Sequence, residues 1–150
     1  MKKIFLIFLL ILPFNVYSII YPIEPIYASL KKDKVYLRYN ASFEAPIKFI
    51  YQKKNLPILI IDKHDIWRKV RDIDGTEGWI HTTMISKKKT FINEKDQNLL
   101  KYKDSNIVNA VVKRGVVGKI INCDKIFCKV KIKTYRGWIK KEYLWGIKKN

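Results

Sequence analysis

The feature that most constrains this chain is an internal repeat. Lys53-Lys54-Asn55-Leu56 and Ile60-Ile61-Asp62 match Lys113-Arg114-Gly115-Val116 and Ile120-Ile121-Asn122 at a constant offset of sixty residues. The match runs on through Trp67-Arg68-Lys69-Val70 with Phe127-Cys128-Lys129-Val130, and through Gly78-Trp79-Ile80 with Gly137-Trp138-Ile139. Whatever unit the first half folds into, the second half builds again. Upstream the match weakens: Val35-Tyr36-Leu37-Arg38 pairs with Asn98-Leu99-Leu100-Lys101 only after a small shift, as a variable loop following a first strand would produce.

Within each repeat the apolar residues recur near period two over short runs. Asp74-Gly75 separates Trp67–Arg71 from Gly78–His81, and an Asp-Gly pair supplies the positive φ angles of a type I′ hairpin turn. The same pattern predicts strands at Ser29–Arg38, Ile47–Tyr51 and Leu56–Asp62, a single 3₁₀ turn at Thr82–Ile85 before a last short strand, and five short strands per unit of about 58 residues. No stretch beyond the N-terminus sustains a 3.6-residue apolar period. The expected class is all-β, as two small barrels in tandem. Units this small bury only about 60% of their unfolded surface, which makes contact between them matter. The join at residues 86–90 has no Pro or Gly and is short, so the units are expected to touch.

The first eighteen residues set the compartment. Met1-Lys2-Lys3 is a basic start, Ile4–Leu12 is an unbroken apolar run, and Val16-Tyr17-Ser18 offers a cleavage site after Ser18. This is the pattern of a secretory signal peptide; kept uncleaved, the segment would be a membrane anchor. Pro22 and Pro25 disfavour helix over residues 19–28. The expected organisation is a signal peptide at 1–18, an extended lead-in at 19–28, barrel one at 29–86, a linker at 87–90 and barrel two at 91–150. The destination is the periplasm or cell envelope. Cys123 and Cys128 agree with export: one closes a strand, the other opens the next, and a disulfide between them is expected. Two cysteines with no histidine in the second repeat fall short of a zinc site, and the spacing is not that of a redox pair.

Charge does not name a partner. The chain carries 31 Lys+Arg against 13 Asp+Glu, a formal charge of +18. The lysines are scattered in ones and twos, apart from Lys87-Lys88-Lys89, and a base-biased genome gives the same excess of Lys, Ile and Asn, so nucleic acid is not the expected partner. A catalytic reading fails on inventory. Both cysteines are expected to be bonded, and both histidines, His64 and His81, lie in the other repeat and are taken as surface residues. The chain has no phosphate loop, nucleophile elbow or His-Glu-x-x-His, so neither an enzyme nor a cofactor is expected. Trp79 and Trp138 are assigned to core or inter-unit packing, Gly78 and Gly137 to close strand crossing, and Trp145 to covering the end of barrel two.

The run Asp65-Ile66-Trp67-Arg68-Lys69-Val70-Arg71, then Gly75, then Glu77-Gly78-Trp79-Ile80-His81-Thr82-Thr83-Met84-Ile85 resembles the bacterial SH3 (SH3b-type) domain family, including its paired occurrence in small exported proteins. The likeness covers residues 29–147 and implies SH3-like barrels. It also implies a ligand groove beside the first tryptophan of the hairpin and the final turn. By position these are Trp67, His81 and Met84 in the first repeat, and Phe127, Lys140 and Tyr143 in the second. The groove proline of that pattern is missing from both repeats, and the loop after the first strand holds only Glu44 or Asp104 as acid, so PxxP peptides are not the implied ligand. The resemblance favours binding of cell-wall peptidoglycan, as peptide or glycan. A protein-interaction adaptor of the envelope and a charge-driven polyanion binder are the alternatives.

Overall fold

A computed structural model of the chain describes residues 23–149. The signal-peptide segment 1–18 and the start of the lead-in lie outside the described residues. The described part is all-β. The first unit contains β1 (Ile26–Leu30), β2 (Val35–Arg38), β3 (Ile47–Tyr51), β4 (Pro57–His64), β5 (Trp67–Arg71), β6 (Glu77–His81), a 3₁₀ turn at Thr82–Met84 and β7 (Ile85–Ser86). The second repeats it with β8 (Thr90–Asn93), β9 (Gln97–Leu100), β10 (Val108–Val112), β11 (Val117–Cys123), β12 (Phe127–Ile132), β13 (Tyr135–Lys140), a 3₁₀ turn at Lys141–Tyr143 and β14 (Leu144–Trp145).

Each unit forms one seven-stranded antiparallel sheet curled round its own core. The strand orders are β3-β2-β6-β5-β4-β1-β7 and β10-β9-β13-β12-β11-β8-β14, so the two topologies are the same. Two strands per unit are additional to the five expected. The strand predicted over Ser29–Arg38 is two, because residues 31–34 (Lys-Lys-Asp-Lys) cannot face a core and instead bend the chain between partners. β1 pairs with β4 and β7, while β2 pairs with β3 and β6. The other addition to the five is the two-residue β7, the last short strand expected after the 3₁₀ turn.

The cores match position for position. Leu37, Val70 and Ile80 are fully buried in the first unit; Leu99, Val130 and Ile139 take their places in the second. Gly78 lets β6 cross β2, since a Cβ there would stand 2.6 Å from Leu37 Cγ and 2.7 Å from the Arg38 carbonyl. Gly137 does the same against Leu99 and Leu100.

The hairpin turns differ from expectation. In the first unit the connection is the five residues 72–76, not a two-residue type I′ turn, and only Gly75 has a positive φ, 84°. The Asp72 carboxylate takes over the organising role, accepting the backbone N–H groups of Asp74 at 3.0 Å and Thr76 at 2.8 Å. In the second unit the loop is the two residues Lys133 and Thr134, with Lys133 at φ 51°.

The two units touch. Only residues 87–89 separate β7 from β8. The Tyr27 ring of β1 meets Trp145 of β14 edge to face with centroids 5.4 Å apart, and Glu24 pairs with Lys148 at 2.8 Å. Trp145 thus reaches the other unit instead of simply covering the end of its own.

Candidate functional site

In an antiparallel pair, residues directly opposite share a face. Trp67 is opposite His81, and Lys69 opposite Trp79, while Val70 is opposite Gly78 and Arg68 opposite the buried Ile80. Trp67, Lys69, Trp79 and His81 therefore stand on the outer face of the sheet. Trp67 is nonetheless only 5% exposed. Its cover is Phe43, from the loop between β2 and β3. The Phe43 ring packs on Trp67 at 5.0 Å and on His81 at 5.3 Å, and Trp67 and His81 are themselves 5.3 Å apart and perpendicular. Phe43 keeps 60% of its surface in solvent, so the cluster ends in an exposed aromatic.

The loop that carries Phe43 is held from inside. Arg38 donates to the Ala45 carbonyl at 2.6 Å, the Tyr39 N–H bonds the Pro46 carbonyl at 3.2 Å, and Ser42 bonds the Glu44 carboxylate. That bond, with the Glu44 backbone N–H, keeps the Glu44 carboxyl below its ordinary pKa. His81 is fixed as well: its Nδ1 accepts the Thr83 N–H at 3.3 Å and caps the 3₁₀ turn. Met84, in the same turn, packs against the core and does not join the cluster.

The second unit uses the same scaffold to a different end. Phe127 is opposite Lys140 on the outer face, as Trp67 is opposite His81. The loop over it, residues 101–107, offers Tyr102, which is exposed and carries the Lys101 ammonium 5.6 Å from its ring. Phe127 is half-buried and forms no ring pair among the described residues. Lys103 instead reaches across to Asp124 at 2.5 Å, tying the loop to the β11–β12 turn. Lys103, followed by the backbone N–H groups of Phe127 and Ile126, holds the Asp124 carboxyl down at about 2. Tyr143 lies 5.2 Å beneath the Lys95 ammonium, and Glu142 raises its hydroxyl above the ordinary pKa. Cys123 and Cys128 form the expected disulfide at the neck of the same hairpin, with Cα atoms 4.0 Å apart in direct register.

Phe43 is the residue that sequence reasoning missed. Its signal was an aromatic in a loop of turn-formers, with no strand to turn it inward. The two Gly-Trp-Ile tryptophans also sit otherwise than assigned. Trp79 and Trp138 are half-buried on the outer face, Trp79 edge-on to His64 at 6.4 Å and Trp138 under Lys129 at 5.9 Å. Among the described residues no group of three or more His, Cys, Asp or Glu could hold a metal ion.

No curated protein matches the chain. Two solved structures that align with it are NlpC2 and NlpC1 from Trichomonas vaginalis, each 13% identical with a TM-score of 0.38. Each match covers 81% of this chain, which spans only about half of those proteins, 48% and 45% respectively. The sequence itself is more telling. It matches the bacterial SH3 domain over residues 31–87 and again over 102–146, one segment in each of the two sheets, with β1, β8 and β9 outside the matched ranges. The chain belongs to the bacterial SH3 domain family.

Proposed function

We propose that this protein is an exported, non-catalytic binding module that holds cell-wall peptidoglycan, its signal peptide (1–18) removed and its two barrels (29–86 and 91–150) presenting separate surfaces. The observation that carries the reading is the Phe43–Trp67–His81 cluster. An exposed aromatic braced edge-on by one ring and at a tilt by a second is a rigid platform for the face of a sugar ring or an apolar side chain. The lysines spread over the surface supply attraction for the carboxylates of the wall's peptides. Both cysteines are consumed in a disulfide, as suits an oxidising compartment, which leaves no thiol for nucleophilic work. Phe127, Lys140 and Tyr143 make the second surface, more open and more cationic than the first.

The test is co-sedimentation of the oxidised protein with purified peptidoglycan sacculi at low and at half-molar salt. Retention at both is expected, with most of it lost in Phe43→Ala and less in Tyr143→Ala. Phe43 is the residue to change first, because truncating the buried Trp67 would damage the fold. Retention that disappears at high salt and is untouched by Phe43→Ala would overturn the reading. No retention at either salt would direct attention to a protein partner. The exposed edge strand β3, with Ile47, Phe49 and Ile50 each at least 40% exposed, would be the place to look for it.

A further inference from the structure

Some of the positive charge on the described surface is offset by a neighbouring acid. Glu77 lies between Lys69 at 3.3 Å and Arg71 at 2.5 Å, Asp96 pairs with Lys113 at 2.8 Å, and Glu94 with Lys149 at 2.8 Å. One cleft of about 350 Å³ at the seam between the units gathers five lysines in one place. Lys53 and Lys54 enter it from the β3–β4 turn of the first unit, and Lys119, Lys131 and Lys133 from β11, β12 and the following turn of the second. Among the described residues no carboxylate is within ion-pair distance of any of the five, and no acid lines the cleft.

The arrangement works against the fold. Lys119 and Lys131 are directly opposite in the β11–β12 ladder, where like charges destabilise the pair. Lys133 takes a left-handed backbone, φ 51°, at a two-residue turn that Gly or Asn would occupy at less cost. Asn55, the other polar group of the cleft, is also left-handed at φ 62°, and it places Lys53 and Lys54 in the same tight turn. Side chains that repel one another in the free protein are stabilised by an anion between them.

We infer that this cleft is a binding site for a compact, multiply charged phosphate, with two or three phosphoryl groups at short spacing. A single carboxylate would leave four of the five lysines unopposed, whereas each terminal phosphate brings a charge of up to about −2. Lysine contacts phosphate as a point charge and needs no bidentate geometry. The volume lies at the low end of the range for small-ligand sites, about 300–1,000 Å³, and admits no duplex. The site takes lysines from both units, so it exists only when they are docked. It is separate from the aromatic surface and does not depend on the peptidoglycan reading.

The probe is sodium tripolyphosphate, titrated calorimetrically into the full chain at a fixed ionic strength of about 0.15 M, where surface charges more than about 8 Å apart are screened. One equivalent should bind. Lys119→Gln/Lys131→Gln/Lys133→Gln should weaken binding at least tenfold, and Lys54→Gln alone, from the other unit, by about threefold. The control Lys63→Gln/Lys101→Gln/Lys125→Gln removes the same charge away from the cleft and should bind within twofold of the wild type. Melting curves of all variants establish that each is folded. Equal losses in the cleft and control triples, an unaffected Lys54→Gln, or no binding by the wild type would each overturn the proposal. Vesicles of phosphatidylcholine with and without phosphatidic acid identify the source of the phosphate. Capture by the phosphatidic acid vesicles, reversed by tripolyphosphate and lost in the cleft triple, assigns a lipid headgroup; tripolyphosphate binding without vesicle capture assigns a soluble oligophosphate.

Discussion

Thr90 opens β8 with its hydroxyl buried and no hydrogen-bond partner among the described residues. A buried hydroxyl that makes no bond carries its full desolvation cost, so Thr90→Val, which keeps the shape and the β-branch, should stabilise the protein by about 1 kcal/mol. Urea unfolding would show this as a higher midpoint with an unchanged slope. Tyr51 is the opposite case. Its hydroxyl is buried and donates to the Asp72 carboxylate at 2.9 Å, while the other Asp72 oxygen holds the β5–β6 loop. Burial first, and the Asp72 bond second, raise the Tyr51 hydroxyl far above its ordinary pKa of 10.0. A raised pKa in the fold means that this contribution is complete below about pH 10, where the unfolded tyrosine is still protonated, and is lost as the pH climbs further. Tyr51→Phe should therefore cost about 1.5–3 kcal/mol at neutral pH, the range for bonds to charged groups, and should make stability fall less steeply above pH 10. Thermal melts of both proteins between pH 7 and 11 test the cost and the slope together. The pairing was not legible in the sequence. Tyr51 and Asp72 are 21 residues apart, and Asp72 reads there only as the residue before a turn.

At the scale of elements, the legible part came from period two seen twice. Leu37 with Leu99, Val70 with Val130 and Ile80 with Ile139 fill equivalent places because their alternation leaves them only one face to bury. Loops obey no such rule, and they are where the repeats part. The same two strands carry Phe43 onto Trp67 in one unit and Lys103 onto Asp124 in the other. Nothing local in either loop announces its distant partner. The Asp124 carboxylate makes the second case testable. It accepts from Lys103 first and from the N–H groups of Phe127 and Ile126 at 2.8 Å, and its pKa is lowered to about 2. A lowered pKa gives a contribution that is present above the ordinary carboxylate value and lost as the pH falls through about 2. A carboxyl titration followed by NMR should place the Asp124 midpoint well below the other exposed acids. Asp124→Asn should speed amide exchange at Ile126 and Phe127 and free the 101–107 loop while leaving β9 and β13 protected. An ordinary midpoint, or unchanged exchange, would mean that the loops are not coupled through this side chain.

For the molecule as a whole, the repeat announced two units and the short join announced contact, but neither could say which faces meet. That depends on residues whose pairing lies outside the repeat: Tyr27 against Trp145, and Gly146 against Pro57. Gly146 has φ 108°, and a Cβ there would stand 2.6 Å from the Thr90 carbonyl and 2.8 Å from Pro57 Cβ of the other unit. Gly75 is its natural control, with φ 84° and nothing within 4 Å of an added Cβ. Gly75→Ala meets only the backbone penalty, about 1 kcal/mol. Gly146→Ala adds overpacking, typically about 1–3 kcal/mol, at a point where relief comes most readily by parting the units. The difference between the two variants therefore measures the seam. It also ties the seam to ligand binding, because the lysine cleft is assembled from both units. Gly146→Ala should weaken tripolyphosphate binding although it touches none of the five lysines, and Gly75→Ala should leave it unchanged. If both variants bind as the wild type does while Gly146→Ala is less stable, the strain has been relieved within the second unit and the cleft does not depend on docking.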